Sequence, residues 1–197
     1  MATTTTTLFG GGSLHDKPTL WIQDRKRGDV AGGFMTSGDT FYTRDLTWVG
    51  KNTIDGAGIK PSGSGDTLVT SGFSADFFGT GSIINSPSTG TNNQLSLVVL
   101  PVGEYFITTT QYGDTSGFTT QIYNVTDSIV EVGGRTFHGS NEHAPQEFFL
   151  SVTGGTKEFR IEQGQTGGRD FISAMGQPDL GASNLQAHAD IKIYKLS

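Results

Sequence analysis

Apolar residues along this chain come in short runs broken by turn formers, and within the runs they alternate instead of recurring at three- and four-residue spacing. From Pro18 onward the pattern predicts strands over 20–23, 40–43, 46–49, 67–70, 94–100, 104–112, 118–126, 129–132, 146–152, 158–163 and 186–196. Alternation is cleanest in the last of these. Ala187, Ala189, Ile191 and Ile193 fall on one side, and His188, Asp190, Lys192 and Tyr194 on the other. Phe159 and Ile161 alternate in the same way with Glu158, Arg160 and Glu162. The expectation is one buried face and one face in water. Tight reversals are expected at Gly113-Asp114-Thr115-Ser116-Gly117, Gly133-Gly134, Gly154-Gly155 and Gly167-Gly168, because glycine supplies the positive φ angles they need. Residues 50–66 and 80–93, rich in Gly, Ser, Pro and Asn, read as long surface loops. Many short strands with this punctuation predict an all-β chain, an antiparallel β-sandwich of jelly-roll type.

Residues 1–17 break the pattern. Thr3, Thr4, Thr5, Thr6, Thr7, Leu8 and Phe9 lead into Gly10 to Gly12, with nothing to fold around. Such a segment is either an ordinary loose terminus or an extended arm that docks on a neighbour. The chain therefore divides into an attachment arm over 1–17 and one β domain over 18–197.

Composition agrees with the strand reading. Gly (29) and Pro (6) punctuate the 197 residues, only 16% are charged, and Thr, Val, Ile, Phe and Tyr suit a pleated, half-buried surface. No cysteine is present, so neither a disulfide framework nor thiolate chemistry is available. The net charge of −6 and the lack of a basic stripe speak against nucleic acid as a partner. No apolar run approaches a membrane span, Leu97 to Leu100 being the longest clean aliphatic stretch, and the N-terminus lacks the pattern of a secretory signal.

The search for chemistry returns little. His138-Gly-Ser-Asn-Glu142-His143 lacks the spacing of a helical metal motif and reads as a solvated hairpin tip; His188 reads as an outward strand residue, and His15 lies in the arm. No Gly-x-Ser-x-Gly elbow and no phosphate-binding loop occurs, the glycines around Ser64 failing both nucleotide patterns. Asp114 and Asp127, beside turns, read as caps of their own backbone in preference to calcium ligands. The sequon at Asn124-Val125-Thr126 falls inside a predicted strand and reads as accidental. Tyr112, Phe118 and Tyr123 could form a platform for a sugar, although strand aromatics more often pack. No metal and no cofactor is called for.

Several segments in order resemble a compact β domain widespread in bacteriophage structural proteins. They are Leu20-Trp-Ile-Gln-Asp-Arg-Lys, Ala31-Gly-Gly-Phe34, Thr36-Ser-Gly38, Thr43-Arg-Asp-Leu46, Leu100-Pro-Val-Gly-Glu-Tyr-Phe-Ile107, Gln121-Ile-Tyr-Asn-Val-Thr-Asp127 and Ala189-Asp-Ile-Lys-Ile-Tyr-Lys-Leu196. The domain is similar to the homotrimeric jelly roll of the C1q and tumour-necrosis-factor type, found at tail-fibre tips and on capsid surfaces. The resemblance covers residues 18–197, and two features depart from it: where related sequences often carry a shaft or docking domain this sequence offers a 17-residue arm, and the stretches 50–66 and 73–93 are longer than the pattern asks.

The resemblance implies a non-enzymatic virion protein, assembled in the host cytoplasm and displayed on the particle surface. The leading expectation is a homotrimeric capsid decoration protein whose arm, through Thr3 to Phe9, adds a strand to capsid or tail proteins. Residues 1–60 carry 7 basic and 6 acidic groups and residues 61–197 carry 6 and 13, so the near-neutral end suits an acidic shell. The alternative is a tail-fibre tip that recognises host surface glycan. Tyr105, Ile107, Ile122, Phe148, Leu150, Ile191 and Ile193 are expected in the monomer core or the trimer interface.

Overall fold

The computed structural model describes residues 18–27, 41–60, 67–73, 97–133, 136–165 and 185–197. The arm, with Thr3 to Phe9 and His15, and the stretch 80–93 lie outside the described residues. The described residues form eleven strands and no helix: β1 (Leu20–Arg27), β2 (Phe41–Thr43), β3 (Trp48–Asn52), β4 (Gly58–Lys60), β5 (Gly72–Phe73), β6 (Leu97–Leu100), β7 (Gly103–Asn124), β8 (Ile129–Val132), β9 (Thr136–Val152), β10 (Lys157–Gln165) and β11 (Leu185–Lys195). Every pairing is antiparallel, in the order β4-β6-β10-β7-β11-β1-β3-β5, with β2 on β10 and with β8 and β9 on β7.

β7 organises this sheet. Its first half, Tyr105 to Gln111, pairs with β11 on one side and β9 on the other; its second half, Phe118 to Asn124, pairs with β10 on one side and, on the other, with the start of β9 at Phe118 and Thr119 and with β8 from Ile122. One strand thus contributes to two layers, β9-β7-β11-β1-β3 and β4-β6-β10-β7-β8. The first strand of one layer end, β4, packs back against β1 and β3, which closes the layers over a common core. The arrangement is consistent with a β-sandwich.

That core is made by the inward side of each alternation. Leu20 and Ile22 of β1, Tyr105, Ile107 and Ile122 of β7, Leu150 and Val152 of β9, Phe159 and Ile161 of β10, and Ala189, Ile191 and Ile193 of β11 form one cluster with Val98 and Leu100 of β6. Phe148 packs against it while half-buried.

Several local expectations are corrected. The predicted reversal at Gly113 to Gly117 is part of β7, and bulges between Gly113 and Phe118 absorb the bend. Gly113 has close packing to satisfy: a Cβ there would lie 2.5 Å from the Phe118 ring. The predicted hairpin tip at His138 to His143 is strand, its backbone held in β9 by β7. The loop expected over 50–66 contains the end of β3 and all of β4, because Ile59 finds a slot between Val98 and Val69. The strand expected over 67–70 is a single bridge from Val69 to Ile59. Gly154 and Gly155 do turn the chain between β9 and β10, at φ of 72° and 130°.

Candidate functional site

The outer side of β11 is not the watery face the alternation predicts. His188 and Tyr194 are buried, and Asp190 is half-buried, accepting hydrogen bonds at Oδ1 from the Trp21 indole and from Gln23 Nε2 at 3.0 Å. Trp21 meets Trp48 edge-on at 5.0 Å, and the Arg25 guanidinium lies 4.1 Å over the Trp48 ring. Trp48 in turn packs onto Gly50, where a Cβ would overlap the indole. Burial, with Asp190 nearby, raises the Tyr112 phenol above its ordinary range.

Further along the same outer face the sheet carries an aromatic row. Register places Phe149 of β9 beside Phe106 of β7, and Phe106 beside Tyr194 of β11. The rings are 5.1 and 5.9 Å apart, and Phe149 is 76% exposed. Val102 and Leu196 are also exposed. A second exposed apolar pair, Ile129 and Val130, sits on β8 in the other layer. Of the three rings only Phe149 is exposed; Phe106 is half-buried and Tyr194 is buried, so the row runs from the interior of the sheet to an apolar edge in water.

These positions are the chain neighbours of the residues singled out from the sequence. Tyr105, Ile107, Leu150 and Ile193 point inward, while Phe106, Phe149 and Tyr194 point outward, as strand geometry requires. The structure brings Tyr105, Ile107, Ile122, Leu150, Ile191 and Ile193 together, with Phe148 at the margin, inside one subunit. It does not bring Tyr112, Phe118 and Tyr123 together: Phe118 is buried in the interior, and Arg160 covers the Tyr123 ring at 4.7 Å. Asn124, the sequon residue, is buried and donates its amide to Asp127 and Glu131, while its Oδ1 accepts the Asp127 backbone N–H at 3.0 Å. The turn is therefore held by Asn124, and Asp127 pairs with Lys157 at 2.6 Å, which lowers its carboxyl below the usual range.

Sequence reasoning missed Arg44, the largest fully buried side chain among the described residues. It stands where the chain crosses between layers: the Arg44 N–H bonds the Ile161 carbonyl in one layer, and the Thr47 N–H bonds the Gln23 carbonyl in the other. The guanidinium donates to Asp24 Oδ2 at 3.4 Å, to Gln111 Oε1 at 3.5 Å, and to the Tyr112 carbonyl and Gln163 Oε1. Burial lowers its pKa to about 10, Asp24 opposing, so the group stays charged at neutral pH. Nothing in its neighbours Thr43 and Asp45 signals an interior position; only the crossing places it there.

The histidines expected to be uninvolved in chemistry divide: His188 is buried in the sheet, and His138 and His143 lie in β9. Among the described residues no group of three or more His, Asp or Glu converges. The chain matches no protein-family model and no curated protein.

Proposed function

We propose that the chain is a non-enzymatic structural protein of a bacteriophage particle, a homotrimeric jelly roll of C1q or tumour-necrosis-factor type that decorates the capsid and is attached by its N-terminal arm. Strand order is compatible with a jelly roll: with β7 shared, the layers read β9-β7-β11-β1-β3 and β8-β7-β10-β6-β4, and the first strand, β1, lies beside the last, β11. The observation that carries the trimer is the Phe149–Phe106–Tyr194 row on the outer face of one layer. A closed ring needs two different patches on each copy, one to meet the other. The row and the Ile129–Val130 edge of β8 are such a pair, in separate layers.

Light scattering of the purified chain is expected to return three times 20.9 kDa. Deleting residues 2–12 is expected to leave that mass unchanged and to abolish sedimentation with emptied capsids. A monomer mass removes the trimer, and retained binding moves the anchor into the β domain. Binding to host cells without binding to capsids transfers the protein to the tail.

A further inference from the structure

The inward positions change character at one level of the interior, on each strand that reaches it. On β1 they run Leu20, Ile22, then Asp24; on the first half of β7, Tyr105 and Ile107, then Thr109 and Gln111. On the second half of β7 Thr120 precedes Ile122, on β9 Gln146 precedes Phe148 and Leu150, and on β10 Gln163 follows Phe159 and Ile161. Register aligns the polar members: Thr109 faces Gln146, Gln111 and Asp24 both face Ala189's flanks, and Thr120 faces Gln163. All five amide and hydroxyl side chains are buried, Gln146 the most open at 7%.

Arg44 sets their orientation. Because Gln111 and Gln163 turn their oxygens to the guanidinium, their NH2 groups face away from it. Gln111 Nε2, Gln163 Nε2, Thr109 Oγ1, Thr120 Oγ1 and Gln146 Oε1 then have no protein partner among the described residues. Buried polar groups are nearly always satisfied, by protein or by water. Thr109, Thr120, Ala144 and Ala189 line this level together with the larger Arg44 side chain. The occupant must both donate and accept. It must also be neutral, since Asp24 already balances Arg44.

We propose that this end of the interior is a binding site for ordered water molecules, which join the amides and hydroxyls of the two layers beside Arg44. The site is internal and is independent of the oligomer proposed above.

A high-resolution crystal structure of the full chain, grown with bromide, tests it. Water density within hydrogen-bond reach of two or more of the five atoms, with no anomalous peak, is expected. A bromide peak there, or no density with the five atoms bonded to protein, overturns the proposal. The isosteric variants Thr109→Val and Thr120→Val give a second readout. Where water bridges the hydroxyls, each variant melts about 2–4 °C lower. In a dry interior the same change removes an unsatisfied group, so unchanged or raised melting overturns the site.

Discussion

At the scale of single residues, the Arg44–Asp24 pair governs stability at the polar end of the interior. Both side chains are fully buried, and an ion pair so placed is strongly disfavoured once one partner is lost. Arg44→Met is expected to lower the free energy of unfolding in urea by about 3–5 kcal/mol, because it leaves the Asp24 carboxylate buried without its guanidinium. The double variant Arg44→Met, Asp24→Leu is expected to recover part of that loss; no recovery would mean that the polar contacts to Gln111 and Gln163 dominate. Alkaline pH reads a second residue. Burial raises the Tyr105 phenol, whose hydroxyl donates to the Pro101 carbonyl at 2.7 Å. A phenol raised on folding contributes stability that is whole below the ordinary value and is lost as pH rises through the raised one. Arg44 has the opposite sign: its pKa is lowered to about 10, so the penalty for burying its charge is relieved above that pH. The difference in unfolding free energy between native chain and Tyr105→Phe is therefore expected to shrink from about pH 8 to about pH 11. A constant difference would show that Tyr105 does not titrate with folding.

At the scale of elements, β7 decides the architecture, and Gly113 is where it changes layer. Its missing side chain admits the Phe118 ring, and the Gln163 amide lies 2.9 Å from where a Cβ would stand. Gly113→Ala is expected to destabilise the fold by about 1–3 kcal/mol through overpacking in circular-dichroism melts with urea, with no change in oligomer mass. A neutral effect would mean that Phe118 moves aside freely. The bulge in β1 between Asp24 and Arg25 has its own fastening: Thr47 Oγ1 accepts the Arg25 N–H at 2.9 Å and donates to the Arg25 carbonyl at 2.6 Å. That bulge lets Asp24 face the guanidinium while Arg25 stacks on Trp48 outside.

At the scale of the whole molecule, the exposed Phe149 ring at the end of the aromatic row is a part of the surface that solitary folding leaves unexplained. Phe149 contributes nothing to the core cluster and remains mostly in water. In a trimer built on this face, Phe149→Glu places a charge in each contact and is expected to give a folded monomer by light scattering, since the side chain supports no interior packing. A Phe149→Glu protein that remains trimeric would move the interface elsewhere. Charge belongs to this scale too: 13 of the 19 acidic residues lie in residues 61–197.

Legible in the sequence were the all-β class, most strands from β6 to β11, and the parity of β10 and β11, so that Ile191 and Ile193 share a side with Ala189. These follow from local rules: a period of two and the composition of turns. Parity says which residues share a side, yet not what covers that side, so His188 and Tyr194 read as solvated while the structure buries them. Glycine suits an extended strand beside a large ring as well as a turn, so Gly113 could not be told from Gly154 by type alone. Arg44 was out of reach for the same reason. A charged residue between two strands belongs outside unless distant Asp24, Gln111 and Gln163 meet it, and that meeting exists only when β1, β7 and β10 are assembled.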